Sequence, residues 1–157
     1  MADRTGTTTQ ARLSKRELGA WRGFLRAHAA LVKMLDAELV AAHDLPLSSY
    51  EVLLFLAGAP GGRMRMSELA DSVLLSRSGI TRLVDRLEAD GLIERVTCET
   101  DRRGYNAAIT DDGRRRLDEA RLTHLAGVRM RFLSRFTAQE LDELAGFWER
   151  LLPGAFA

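Results

Sequence analysis

The stretch SRSGITRLVDRLEADG, Ser76–Gly91, decides how the whole chain is interpreted. Its apolar residues Ile80, Leu83, Val84 and Leu87 keep the spacing of one side of a helix. Its first turn, however, consists mostly of Ser, Gly and Thr, which are poor helix formers with small side chains. The stretch therefore predicts a helix with one buried side and an unusually slender beginning.

The exposed side of this helix carries groups that suit DNA. At 100° per residue, Ser78, Arg82 and Asp85 lie opposite the apolar side, with Thr81 and Arg86 on its flanks. The hydroxyls and free amides of a slender first turn can bind phosphates, while both arginines are long enough to reach guanine edges in a major groove. Asp85 would repel phosphate unless it accepts from a cytosine amine or holds Arg82 one turn away, and we expect the second. An ordinary capped helix in a small core would explain the same residues. The neighbouring elements must therefore decide between a DNA-binding helix and a purely structural one.

The elements on either side predict a winged helix-turn-helix. The sequence RMRM alternates as a brief strand does, and Ser67 is expected to cap the short helix SELADSVL that precedes the recognition helix. After it, LIERVTC and YNAAIT predict the two strands of a β-hairpin. We therefore assign residues 46–110 to a winged helix-turn-helix lobe that binds DNA.

The turn of this hairpin, ETDRRG, carries the charges of a DNA-binding wing. Arg102 and Arg103 stand at its tip, where the negative potential of a minor groove would attract them. Asp101 can brace one guanidinium so that its orientation is fixed. An exposed charged turn is usually only solvated, so this interpretation depends on the adjacent helix.

A long helix before the lobe carries a heptad seam. Ser14 and Glu17 predict a capping box at its start, and a second box, Ser48–Glu51, predicts the start of the next, short helix. Along the long helix, seam residues recur at alternating spacings of three and four: Leu18, Trp21, Leu25, His28, Val32, Leu35 and Leu39. An apolar seam of this length must pack against another helix to be shielded from water.

Two further helices follow the hairpin, one capped by Thr110 and one opened by the capping box Thr137–Glu140. The predicted fold is thus mostly α, an α+β winged helix-turn-helix with six helices and a β-hairpin wing. We expect residues 14–45 and 111–157 to form a dimerisation core, because their apolar faces could not stay in water. Residues 1–13 are polar and predict a flexible tail.

Composition limits the remaining classes of function. The chain has 157 residues, of which 46% are hydrophobic, a net charge of +1 and a single cysteine. Residues 63–103 contain eight Arg and eight Asp or Glu, so DNA binding would depend on how charge is segregated.

The absence of certain motifs limits the class of protein further. Without a membrane-spanning run or a signal peptide, we expect a cytoplasmic protein. Because no motif of a hydrolase, nucleotide-binding loop or zinc site occurs, we predict no catalytic residue, no cofactor and no metal.

This combination of motifs resembles the MarR family of bacterial transcriptional regulators. The resembling segments are SELADSVLLSRSGITRLVDRLEADGLIER, TDRRG and ITDDGRRRL, with a D-x-R wing motif on Asp101 and Arg103. The resemblance implies a homodimer that reads a pseudo-palindromic operator in double-stranded DNA, with wings in the flanking minor grooves. By motif position, the DNA-contacting residues are Ser76, Arg77, Ser78, Thr81, Arg82, Arg86 and Arg103.

The resemblance also implies a repressor that a small, often phenolic, ligand or an oxidant releases from DNA. Within the seam, Trp21 and His28 have polar atoms and Arg22 lies beside Trp21, so we expect any pocket for an aromatic acid or phenol at these residues. Packing at a dimer interface would explain the same side chains. The alternative function is a winged-helix module that binds protein, which the arginines on the recognition helix and wing tip disfavour.

Overall fold

Six α-helices and a small antiparallel sheet form the part of the chain that the structure describes. The computed structural model describes residues 12–73, 77–98 and 101–154. In chain order the elements are α1 Lys15–His43, α2 Leu47–Gly58, β1 Arg63–Arg65, α3 Met66–Ser72, α4 Arg77–Ala89, β2 Ile93–Cys98, β3 Asp101–Ile109, α5 Asp111–Arg131 and α6 Ala138–Leu151. Short 3₁₀ helices lie at Pro60–Gly62 and Leu133–Arg135. The predicted fold of six helices and a hairpin wing is confirmed.

Three helices begin at the predicted caps. In α1 the amide of Glu17 donates to Ser14 Oγ at 3.2 Å, and the amide of Ser14 donates to the Glu17 carboxylate at 2.7 Å. These hydrogen bonds lower the pKa of Glu17. The same reciprocal box opens α6 at Thr137, and Thr110 Oγ1 accepts from an amide in the first turn of α5. The local sequence pattern therefore predicts these starts correctly.

Two other predicted starts are wrong. The helix α2 begins at Leu47 without a side-chain cap, and the Leu47 amide donates to Asp36 Oδ1 of α1 at 2.8 Å. A carboxylate from a neighbouring helix thus replaces the predicted box at Ser48. The helix α3 begins at Met66, directly after β1, because Glu68 accepts from the backbone amide of Arg65 at 3.1 Å; the expected cap, Ser67, lies inside the helix.

The buried side of α4 forms the centre of the core. Ile80, Leu83, Val84 and Leu87 are all buried, as their spacing predicts. They belong to one cluster with buried residues of the other elements, which include Leu39, Leu53, Leu56, Leu69, Ile93 and Leu117. The core therefore lies in the winged helix-turn-helix lobe and extends to the end of α1 and the start of α5.

The sheet has the order β1-β3-β2, with β3 in the centre and both pairings antiparallel. Ile93 pairs with Ile109 at the buried end of the hairpin, and Thr97 pairs with Tyr105 further towards the wing turn. By strand alternation, Ile93, Arg95 and Thr97 point to one face of β2. Because Ile93 is buried in the core that includes α4, this face is the one that meets α4.

The helix α1 also contacts α5 through polar groups outside the lobe. Arg131 Nε donates to Glu38 Oε1 at 2.8 Å, and His43 Nε2 lies 2.7 Å from Thr123 Oγ1. These contacts join the two helices that the sequence assigns to a dimerisation core.

No single helix among the described residues is long and apolar enough to cross a membrane. The helices α1 and α2 together reach that length and hydropathy, but they bend by 84° relative to each other.

Candidate DNA interface

The exposed side of α4 brings together four of the predicted DNA-contacting residues. Ser78, Thr81, Arg82 and Arg86 are all exposed, while the opposite side of the same helix is buried. Arg82 forms no ion pair with any carboxylate in the described part of the chain. The side thus combines hydroxyl groups with long cationic side chains, as a surface that binds phosphates and base edges requires.

Asp85 does not hold Arg82, contrary to the expectation from the sequence. Its carboxylate accepts from Arg95 Nη2 in β2, and Arg95 Nη1 donates to Glu88, one turn further along α4. The reason is that β2 returns beside α4 with Arg95 on the face that meets the helix. The hydrogen bond to Asp85 raises the pKa of Arg95.

The wing hairpin lies next to α4, but several predicted contact residues fall outside what the structure describes. The backbone of Asp101–Gly104 belongs to β3, whereas the side chains of Asp101, Arg102 and Arg103 lie outside the described part of the structure. The same holds for residue Ser76 and for the side chain of Arg77. Their predicted roles therefore remain predictions.

Arg95 in β2 and Tyr105 in β3 are two further residues of the hairpin beside α4 that the sequence motifs did not indicate. Tyr105 is 56% exposed, although strand alternation places it on the same face of β3 as buried Ala107 and Ile109. Tyr105 lies nearer the wing turn than these two residues, and no helix among the described residues covers it. The alternation in IERVT and YNAAI could have indicated both positions, but the partners of these side chains could not be inferred from it.

Clefts beside Arg86 and beside His28 adjoin this lobe. A cleft of 630 Å³ at the end of α4 is lined by Arg86 together with Arg115 and Arg116 of α5 and several carboxylates. A second cleft, of 410 Å³, lies between α1, α2 and the end of α3, and His28, Asp36, Glu51 and Phe55 are among the residues that line it. We call this second cleft the α1–α2 cleft.

Of the three residues proposed for an effector, His28 lines the α1–α2 cleft. Trp21 and Arg22 lie nearer the start of α1, where both are exposed and the Trp21 ring lies 6.3 Å from the ring of Phe24. Burial raises the pKa of Glu51 in the cleft, and the charge of His28 opposes this shift. Within the described ranges, no group of three or more His, Cys, Asp or Glu residues is placed to hold a metal ion.

Comparison with known proteins assigns this architecture to a family. The model of the MarR family matches residues 43–104. The crystal structure of AbsC, a MarR family transcriptional regulator from Streptomyces coelicolor, is 31% identical with a TM-score of 0.82, over 92% of this chain and 94% of AbsC. The chain belongs to the MarR family. The relatives that match are named transcriptional regulators and not enzymes, in agreement with the prediction for this chain.

Two further relatives are similar to this chain, a MarR-family structure with DNA and a named repressor. Sco3205, a MarR family regulator from Streptomyces coelicolor crystallised in complex with DNA, is 32% identical with a TM-score of 0.84, over 91% of this chain and 96% of Sco3205. The HTH-type transcriptional repressor MdtR of Bacillus subtilis (strain 168) is 31% identical over 94 residues, which are 60% of each chain. This MarR-family chain therefore covers less than two thirds of the length of MdtR.

Proposed function

We propose that this MarR-family regulator is a homodimeric, sequence-specific DNA-binding repressor. The observation that carries the proposal is the exposed side of α4, where Ser78, Thr81, Arg82 and Arg86 stand beside a wing hairpin. The DNA-bound relative Sco3205 has the same fold, and the relative MdtR is named a repressor, which supports the proposal.

The residues divide into three roles at the DNA. Ser76, Arg77, Ser78 and Thr81 at the start of α4 would contact phosphates and place the helix in the major groove. Arg82 and Arg86 would reach guanine O6 and N7 with their bidentate guanidinium groups. Arg102 and Arg103 would enter the flanking minor groove, with Asp101 as their brace.

A homodimer follows from the apolar residues that the single chain leaves exposed. Trp21 is 54% exposed, Leu25 44% and Leu151 61%, and the ring of Phe24 lies 5.5 Å from that of Trp148, so α1 and α6 contribute to one surface. We call this surface, formed by Trp21, Phe24, Leu25, Trp148 and Leu151, the terminal apolar face. An apolar face of this kind is stable in water only when it is covered.

The domain organisation follows from this assignment. Residues 14–45 and 111–157 would form the dimerisation core, and residues 46–110 the DNA-binding lobe. A two-fold dimer would hold its two recognition helices about 34 Å apart, one turn of DNA. The operator would therefore be a pseudo-palindrome with half-sites at that spacing.

The α1–α2 cleft supports release of the repressor by a small ligand. It lies between the helix that forms the dimer and the first helix of the DNA-binding lobe, so a ligand there would contact both parts. The carboxylates of Asp36 and Glu51 beside His28 favour a phenolic hydroxyl, which can donate a hydrogen bond, over the carboxylate of an aromatic acid. Phe55 and Val32 supply apolar contacts for a ring.

The test is a selection of random duplexes by the purified protein, followed by binding of the enriched site across a salt series. We expect a pseudo-palindrome with half-sites about 34 Å apart and an affinity that falls steeply with salt. The enriched operator then allows phenols to be screened for release. Failure to enrich any sequence, together with salt-insensitive binding, would favour the winged-helix protein-interaction module instead.

A further inference from the structure

We propose that Arg95 is a positioning residue, which sets the angle between the wing and the recognition helix and thereby selects operators by the spacing of their major- and minor-groove contacts. The inference rests on the DNA-binding function proposed above. It concerns a residue that sequence motifs did not single out as a DNA contact. Arg95 acts through Asp85 and Glu88 of α4 and needs no contact with DNA of its own.

Arg95 joins the two DNA-binding elements at three points. Its Nη2 donates to Asp85, its Nη1 donates to Glu88, and its backbone amide donates to Glu88 Oε1 at 3.2 Å. The two acceptors lie three residues apart, so they stand on neighbouring turns of one side of α4. One side chain and its own backbone are therefore held by two turns of the recognition helix, which fixes both the distance and the orientation of β2.

The chemistry of arginine suits this role. The guanidinium is planar and presents its donors in a rigid fork, so two carboxylates on neighbouring turns can each receive a separate N–H group. Lysine would offer a flexible point charge that can approach both carboxylates but cannot fix their orientation. The Arg95 side chain is 25% exposed, whereas those of Asp85 and Glu88 are 57% and 38% exposed, so water screens the ion pair with Glu88 less than the ion pair with Asp85.

The position of Arg95 connects this brace to the wing tip. Arg95 pairs with Ala107 in β3, and the next residue on the same face of β2 is Thr97, opposite exposed Tyr105. The wing turn with Arg102 and Arg103 follows within a few residues. A rotation of β2 about α4 would therefore move the wing arginines relative to Arg82, and the two sets of groups could no longer reach adjacent grooves together.

The substitution Asp85→Asn separates this role from general electrostatics, because the two effects have opposite signs. Removing a negative charge from a DNA-facing helix should strengthen binding to a polyanion. If Asp85 holds Arg95 in place, the same change should weaken operator binding, by about five- to thirtyfold, the effect of losing one positioned contact. Glu88→Gln should weaken binding in the same direction.

The matched control is Asp90→Asn, which removes an exposed carboxylate directly after α4 that forms no ion pair with Arg95. We expect its affinity for the operator to equal or exceed that of the wild type. Hydroxyl-radical footprints should show that Asp85→Asn loses protection in the flanking minor groove, while dimethyl-sulfate footprints at guanine N7 should keep the major-groove pattern. Melting temperatures of all variants would show that each protein is folded.

A double-mutant cycle provides a second measurement on the full-length protein. If Arg95 acts by placing the wing, Arg95→Met should cost much less affinity in an Arg103→Ala background than in the wild type. Independent losses, or tighter binding by Asp85→Asn, would overturn the inference while the proposed function stands. Wild-type protein that selects no operator would overturn both.

Discussion

At the scale of single residues, the arginines near α4 differ in whether they form ion pairs with carboxylates of the protein. Arg95 donates to Asp85 and Glu88, so its guanidinium is occupied within the fold. Arg82 is exposed and forms no ion pair among the described residues. Asp85 thus pairs with Arg95 of the wing strand β2, and the proposed role of Arg82 is to donate to DNA. The same residue type has a bracing role in β2 and a proposed reading role in α4.

Replacing Arg82 with Ala should cost about 1 to 3 kcal/mol of binding free energy on the operator and relax specificity at one base pair. The reason is the loss of a bidentate contact with a guanine edge. Titration of the operator and of single-base variants measures both effects. Arg129→Ala, which removes the same charge from the exposed side of α5, is the control and should leave specificity unchanged. An equal loss of affinity on every sequence would show that Arg82 contacts phosphate alone.

At the scale of elements, the start of α5 packs closely against the segment between α4 and β2. Thr110 Oγ1 donates to the carbonyl of Gly91 at 2.8 Å and accepts from the amide of Gly113 at 3.0 Å. A Cβ atom on Gly113 would collide with the backbone carbonyl of Leu92. The glycine therefore lets α5 approach β2 more closely than any other residue would allow.

The substitution Gly113→Ala should destabilise the protein by about 1 to 3 kcal/mol, because a backbone carbonyl cannot move aside as a flexible side chain can. Urea unfolding of the two proteins measures the difference. Gly58→Ala is the matched control, since a Cβ atom there would meet nothing within 4 Å. Its free energy of unfolding should change by less than about 0.5 kcal/mol. A neutral Gly113→Ala would show that α5 can shift without cost.

The junction of α2 and α5 should make stability depend on pH. The His124 ring lies 4.6 Å from that of Tyr50, its Nδ1 is buried without a partner among the described residues, and burial lowers its pKa below the ordinary value of 6.5. The unfolded chain therefore binds the proton more readily than the native protein does. Stability should be fully present above about pH 6.5 and should fall as the pH decreases towards the lowered pKa.

His124→Phe keeps the ring beside Tyr50 and removes the titrating group. The difference in unfolding free energy between wild type and variant, measured by urea unfolding from pH 7.5 to pH 5, isolates His124 from the other two histidines. We expect the wild type to lose stability relative to His124→Phe as the pH falls. A difference independent of pH would contradict the lowered pKa.

At the scale of the whole molecule, the exposed apolar residues lie mainly on the helices at the two ends of the chain. The core of the lobe is closed, with Leu53, Leu56 and Ile80 buried, whereas Trp21, Leu25 and Leu151 remain exposed. The heptad seam of α1 is divided in the same way, because Leu39 at its end is buried in the core. One half of the seam thus completes the lobe, and the other half would complete the dimer.

Leu25→Glu should weaken the proposed dimer by about 2 kcal/mol or more, because two-fold symmetry buries the new charge twice. Sedimentation velocity over a range of protein concentrations measures the association constant. Operator affinity should fall with it, since a monomer occupies one half-site. Leu54→Glu, at a side chain that is 40% exposed on α2 of the DNA-binding lobe, is the control and should leave the dimer intact. Equal association of wild type and Leu25→Glu would place the interface elsewhere.

The sequence by itself determined the order of the elements, the caps at Ser14, Thr110 and Thr137, and the buried side of α4. It also indicated Ser78, Thr81, Arg82 and Arg86 as the exposed side. These features depend on hydrogen bonds and spacings within about four residues, which a sequence displays directly.

The tertiary structure alone decided where α2 begins and which arginine Asp85 holds. Leu47 finds its acceptor in Asp36, eleven residues away, and Asp85 finds Arg95 ten residues away across a turn and into a strand. A carboxylate binds whichever donor the packing brings nearest, and sequence spacing does not report that distance. The ion pairs between β2 and α4 therefore follow from the tertiary packing and not from the local sequence.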